Sequence, residues 1–585
     1  MVGGGEAGSM AGRRAGTPAP APNRGRGRTG ARAYLGALLE RYGGVLAVQA
    51  VALAVIVGRA GWLEGPAAAA LRAAGVLPGP CGLNGDQQAA AGAGGAWGLY
   101  SSQVVLPGGG VGPATVWVRG GRVAAVEEGA VAAGAEPAGV EHLGQAVVGP
   151  GLVDVHAHLN EPGREHWEGF LTGTAGAAAG GVTTLVDMPL NTLPATTTLE
   201  LFERKLEATE DKLHVDVAFW GGLVPENAAE PAELRGMLDR GVLGLKTFLS
   251  PSGSDDFRNT NRTHCESALR VLAEFDRPLM VHAELPHAIT DAEYARGSSK
   301  DYATYHATRP KSFELDALAM LLEVSDAMTE MQARGSIHVA HLSTGDALAA
   351  LESAKRRGNR ITVETCPHFL LFAAESIPRG NTLYKCAPPI REAANQALLW
   401  DGLLKGTIDS IGSDHSPSPG ELKLLDEGDF LRAWGGISGL QYLLPATYTA
   451  LMKSGKDLAD PLGLVHRWLS TNPAKIAGLP QKGSLAPGKD ADIVVWLPDT
   501  RADTRRKAYL HKNKETVYED MYLVGKVART YVRGQLVFED GNRKGTKDSL
   551  SKRRCGRPVL ASQTEQKRAK LKELEERVNA KLEGG

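Results

Sequence analysis

Six side chains able to bind metal or move protons stand out in the sequence: His156, His158, Lys246, His282, His341 and Asp414. His156 and His158 are two positions apart, so in an extended segment both face one side and can grip one cation. A cation held this way acidifies a water molecule and polarises a carbonyl, which is the chemistry of metal-assisted hydrolysis. One histidine in an apolar strand is ordinarily a hydrogen-bonded core residue. Four histidines, a lysine and an aspartate at corresponding ends of five strands point instead to a metal site.

Those strands belong to a regular alternation. Between about 147 and 417, short β-rich runs alternate with longer segments of helical pattern, the signature of a parallel sheet built from βα repeats. Eight runs can be counted, at 147–158, 183–189, 215–222, 243–249, 277–284, 336–343, 361–368 and 409–417. Between them lie stretches such as 199–213 and 312–328, where apolar residues recur every three or four positions. The expected fold is a TIM-like (β/α)8 barrel, whose active site forms at the C-terminal ends of the strands. His156 and His158 end the first run, Lys246 lies in the fourth, His282 ends the fifth, His341 the sixth and Asp414 the eighth.

Composition narrows the class. The chain has 585 residues, enough for a barrel with appendages, and its 43% hydrophobic and 22% charged residues suit a soluble globular core. Lys and Arg number 65 against 66 Asp and Glu, a net charge of −1 that offers no electrostatic reason to expect nucleic acid. A small-molecule partner is expected. The five cysteines (Cys81, Cys265, Cys366, Cys386 and Cys555) contain no CxxC pair and indicate neither a disulfide framework nor a zinc ribbon.

The ends differ from the middle. Residues 1–96 form an Arg/Gly/Ala-rich extension expected to be disordered; its first 41 residues hold seven Arg and two Glu. Within it, 42–58 carries no charge and is interrupted only by the polar Gln49. A signal-anchor, a cleaved transit peptide and a buried helix compete for that segment, and the flanking arginines favour targeting or possible membrane attachment. Residues 97–146 and 481–541 are Gly-rich strand-and-turn patterns on either side of the barrel region, 147–480. Residues 542–585 read as a basic linker and a C-terminal helix, opened by a capping box at 562–565 and carrying the stripe Leu571, Leu574, Val578 and Leu582.

The ordered set HxH, Lys, His, His, Asp on strands one, four, five, six and eight resembles the amidohydrolase superfamily, specifically its cyclic amidase branch. The resemblance covers about Tyr100 to Gly541 and implies that the two flanking pieces pair into a small β-sandwich. It also implies two divalent cations, usually zinc. His156, His158 and Asp414 would hold the first, His282 and His341 the second, and Lys246, carboxylated by carbon dioxide, would bridge both. A hydroxide between the metals would then attack, with Asp414 as the catalytic proton shuttle. His338 does not match a ligand position and reads as a packing or supporting residue.

Within that branch, the stretch 158–198 resembles the allantoinases. Dihydroorotases place an arginine where Asn160 stands, to meet a ring carboxylate; a neutral amide suits a neutral ureido-substituted ring. Residues 247–257 lack the tyrosine with which hydantoinases and dihydropyrimidinases stabilise the oxyanion. Ser416 matches a ring-binding serine, and Asn191 is a further candidate for the same pocket. The implied activity is hydrolysis of allantoin to allantoate in purine catabolism. The alternatives are a dihydropyrimidinase or hydantoinase, and a non-catalytic scaffold of the same fold, against which the complete ligand set argues. The resemblance further implies a homotetramer and, through plant-type members, association with the endoplasmic reticulum or a membrane.

Overall fold

The computed structural model describes residues 95–132, 134, 137–289, 297–541, 549–551 and 553–561. The chain enters through five strands: β1 (Ala96–Val105), β2 (Val111–Arg119), β3 (Arg122–Glu128), β4 (Val140–His142) and β5 (Val147–Pro150). Ala114, Val116 and Val118 alternate along β2 and are all buried, the period-two pattern of a strand with one face in a core.

The barrel follows. Its strands are β6 (Leu152–Ala157), β7 (Val182–Asp187), β8 (Asp216–Phe219), β9 (Gly221–Gly222), β10 (Leu245–Phe248), β11 (Pro278–His282), β12 (Ser336–Val339), β13 (Ile361–Thr365) and β14 (Ser410–Ile411). β6, β7 and β8 pair in parallel, and so do β9 to β14. Only Trp220 separates β8 from β9, so these two are one strand that pairs β7 with its first half and β10 with its second. A parallel bridge between Ala157 and His415, with the His158 amide donating to the His415 carbonyl at 2.9 Å, closes the ring. The barrel therefore has eight strand positions and no free edge.

A helix packs outside after each position, including Phe170–Ala179, Leu199–Ala208, Arg262–Phe275 and Lys311–Glu330. The sequence punctuates them: Thr198 and Asn261 accept N-cap hydrogen bonds from the amides of Leu201 and His264. Gly241 and Gly406 take the left-handed C-cap conformation. Inside the barrel, Val153, Val155, Val186, Ala218, Trp220, Leu243 and Met280 form one buried cluster.

The chain then returns to its first sheet with β15 (Ile493–Arg501), β16 (Val524–Val532) and β17 (Gln535–Glu539). The order is β17-β16-β15-β5-β1-β2-β3, with β4 beside β1. Its core joins both chain ends, Trp97, Val116 and Val148 meeting Ile493, Val495 and Tyr531. The fold is thus a TIM-like barrel beside a small β domain formed from both ends of the sequence.

Several expectations change here. The run 147–158 is two strands: Val147–Pro150 pairs with β1 and β15, and the barrel begins after Gly151. Cys265, Cys366 and Cys386 are buried free thiols. The expected location at the endoplasmic reticulum or a membrane, with its transit-peptide alternative, is corrected: among the described residues no helix is long and apolar enough to cross a membrane. Lys311–Glu330 has the length at 20 residues, but Lys311, Glu314, Asp316, Glu323 and Asp326 forbid it the hydrocarbon interior. The segment 42–58 and the C-terminal helix expected after 562 lie outside the described residues.

Candidate metal centre and active site

Parallel pairing brings residues far apart in sequence to one mouth. In register, Phe248 of β10 stands opposite His282 of β11, and their rings stack at 4.3 Å. His156 Nε2 and His158 Nε2 lie 3.2 and 3.5 Å from the same Asp414 oxygen, Oδ1. Across the mouth, His282 Nδ1 is 2.9 Å from His341 Nε2, and the His341 ring centre is 5.2 Å from that of His156. Lys246 sits fully buried behind them, and its Nζ has no hydrogen-bond partner.

The backbone is bent to achieve this. His341, Asp414, Asn160 and Asn191 have φ of 38°, 43°, 63° and 64°, left-handed conformations that cost roughly 1–3 kcal/mol each outside glycine. Such turns at strand ends swing side chains off the strand line and into or away from the mouth.

The electrostatics are those of buried charge. Burial pushes the Lys246 ammonium down to about 8, although Asp414 and Glu364 pull the other way. Burial likewise lowers His158 and His341, keeping both in the neutral, ligating form. Burial alone would raise Asp414, but His156 and the hydrogen bond with His158 hold it well below the ordinary carboxylate range. It is a carboxylate at neutral pH.

Two carboxylates that the motif does not include complete the arrangement. Glu364 on β13 meets His156 Nδ1 at 2.6 Å, and Glu284 meets His282 Nε2 at 2.7 Å. Each accepts a ring N–H, which fixes the tautomer and leaves the other nitrogen's lone pair aimed into the cluster. Burial would raise Glu364, but His156 beside it brings it down to about 2. His338 bonds Thr362 Oγ1 at 2.9 Å and stands 3.7 Å from Glu364, a supporting position outside the cluster.

This donor set fits cations. His156, His158 and Asp414 present three ligand atoms within 4.8 Å of one another. The two imidazole nitrogens facing at 2.9 Å, the orphaned Lys246 Nζ and the unpartnered His341 Nδ1 are what a site built around added charge displays. A second acidic group, Asp216, Asp490 and Asp492, is already filled by the Lys482 ammonium at 2.6 to 2.9 Å.

The cluster opens into a cavity of about 400 Å³ lined by His156, His158, Asn191, His282, His341, Asp414 and Ser416. Ser416 Oγ donates to Asp414 Oδ1 at 3.0 Å, and Asn191 Nδ2 is 3.5 Å from His158 Nδ1. Asn160 does not line the cavity. It is 1% exposed, and its amide points to the Pro417 carbonyl at 3.5 Å. The connections between strands add groups that sequence reading missed: Tyr305, from the short helix Tyr302–Ala307, and Arg309, Lys385 and Trp434, from loops, all reach the wall. Each is already engaged or apolar. Glu284 takes the Arg309 guanidinium in a two-pronged bond at 2.5 and 3.0 Å, Lys385 donates to the Leu431 and Ala433 carbonyls, and the Tyr305 hydroxyl donates to Cys386 O at 2.6 Å.

Comparison with known proteins agrees with this geometry. A rice protein (Oryza sativa subsp. japonica) named "Probable allantoinase" is 47% identical over 470 residues, 79% of this chain and 90% of its own length. The allantoinase of Arabidopsis thaliana is 48% identical over 403 residues, 68% of this chain and 79% of its own. The solved L-hydantoinase (dihydropyrimidinase) of Arthrobacter aurescens superposes with a TM-score of 0.70 at 29% identity, covering 79% of this chain and all of that one. The profile described as "Amidohydrolase family" matches residues 147–537, the span that holds every strand-end residue above. With barrel, strand-end histidines and these relatives together, the chain belongs to the amidohydrolase family.

Proposed function

We propose that this chain hydrolyses cyclic amide C–N bonds and that its substrate is allantoin, opened to allantoate. The observation that carries the reading is the convergence of His156, His158, His282, His341 and Asp414 on one mouth, in front of a buried, unpartnered Lys246. The allantoinases to which the chain is similar supply the substrate.

In this reading His156, His158 and Asp414 hold one divalent cation and His282 and His341 a second, with zinc favoured by the nitrogen-rich donor set. When bound, such a pair supplies Lewis acidity, which acidifies water and polarises the substrate carbonyl. Lys246 would join the two halves as a carbamate. Burial favours its neutral amine, the form that adds to carbon dioxide and loses a proton to give an anionic carbamate, whose charge bound cations would match.

Asp414, ionised and oriented by the Ser416 hydroxyl, takes the proton of the attacking water and returns it to the departing ring nitrogen. Asn191 faces the cavity with one donor and one acceptor for the ureido group. Ser416 offers its main-chain carbonyl to the ring, since its hydroxyl is engaged. The cations on the described wall, Arg309 and Lys385, are already committed to Glu284 and to carbonyls, which suits a neutral ring better than one bearing a carboxylate. Asn160 acts indirectly, steadying Pro417 beside Ser416. The chain works as a homotetramer in this reading, which light scattering tests.

The test is a panel of allantoin, hydantoin and dihydrouracil with the metal-loaded full chain. Allantoate should form with kcat/KM at least about a hundredfold above the other two. Equal rates, or no allantoate, overturn the assignment.

A further inference from the structure

A second cavity, of about 570 Å³, opens beneath the barrel. Its wall includes Arg277, the residue before β11, whereas His282 ends that strand at the catalytic mouth. Five extended residues, roughly 16 Å, separate the two, so this cavity lies on the opposite face. Its volume falls in the range that holds small metabolites.

The lining combines apolar Phe275, Leu479 and Pro480 with cationic Arg277, Lys475 and Lys489. Two further charges on the wall are neutralised locally: Lys482 by Asp216, Asp490 and Asp492, and Asp276 by Arg360 at 2.6 Å. Lys475 and Lys489 differ. Neither forms a salt bridge among the described residues; Lys489 Nζ donates only to the Lys482 carbonyl, at 3.3 Å. Burial lowers the Lys489 ammonium, and the charge of Lys475 lowers it further, so the two feel each other's field. Arg277 is already engaged, its Nη1 donating to the carbonyls of Ala477 and Gly478 at 3.4 Å.

Like charges gathered at a partly enclosed apolar wall repel one another, and a bound anion would relieve that repulsion through charge-assisted hydrogen bonds. We propose that this cavity is a binding site for a phosphate-bearing small molecule, its anionic group held by Lys475 and Lys489 and its apolar or planar part laid against Leu479 and Pro480. Such a ligand does not compete with substrate, because it enters from the other end of the barrel. The site stands independently of the reaction proposed above.

Calorimetric titration of the full, metal-loaded chain with phenyl phosphate tests it. Binding is expected, weakened about tenfold or more in Lys475→Gln/Lys489→Gln, with metal content and melting temperature unchanged because Lys475 is exposed and Lys489 is half-buried. Absence of binding at about 10 mM phenyl phosphate overturns the proposal. So does equal affinity in the double variant, which would place the phosphate at the metal centre instead.

Discussion

Glu364 Oε1 lies 2.6 Å from His156 Nδ1, joining β13 to the end of β6 across 208 positions of sequence. The carboxylate is fully buried and ionised, and it holds the imidazole with its other nitrogen facing Asp414. This pair, rather than the HxH motif alone, sets the direction of the first ligand.

Glu364→Gln keeps the shape and removes the charge. Metal affinity should fall about 10- to 100-fold, the usual effect of losing a carboxylate behind a ligating histidine, with turnover recovering in excess metal. Competition with a chromogenic chelator measures it; unchanged affinity would show that the Glu364 charge does not tune the ligand.

Asn160 and Asn191 should separate. Asn160 is buried at φ 63°, so Asn160→Arg introduces an unpaired guanidinium into a closed position and should cost roughly 3–5 kcal/mol of stability. Asn191 lines the cavity and is half-buried, so Asn191→Ala should raise KM for allantoin about tenfold while the melting temperature holds. Thermal melts alongside kinetics decide it. A stable Asn160→Arg enzyme with altered KM would return Asn160 to the pocket.

The contrast shows where sequence reading succeeds and where it stops. Strand-end histidines are legible because a parallel barrel puts every strand's C-terminal end at one mouth, so residue type and period suffice. The direction of Asn160 is not legible, because a left-handed turn at one residue redirects the side chain without changing the spacing. Glu364 and Glu284 stood in recognised strands, yet their roles depend on which strand lies beside which. Arg309 and Trp434 arrive from connections that carry no period at all, and Tyr305 from the short helix Tyr302–Ala307. The division of 147–158 had a signal in Gly149-Pro150-Gly151, a run that interrupts a strand.

Stability should fall as the solution turns acidic. Burial pushes His511 down to about 3, and both its ring nitrogens lack partners; burial also lowers His466 to about 4. Their unfolded pKa is near 6.5, so between there and about 4 the unfolded chain binds more protons, and unfolding free energy drops with falling pH. His511→Phe keeps the stacking on Tyr509 and removes one titration. The slope of stability against pH in that window should decrease by up to about 1.4 kcal/mol per pH unit. An unaltered slope would show that His511 is not held neutral in the folded state.

The most direct measurement of the central claim, that Lys246 joins two halves of one hydrolytic site, is allantoin turnover by Lys246→Ala with and without an added short carboxylic acid. Loss of the bridging group should leave less than about one-thousandth of the activity together with low metal occupancy. A small carboxylate able to enter the vacated space should restore part of both. Full activity in the alanine variant, or an unmodified lysine in the mass spectrum of active, metal-loaded protein, would contradict the account.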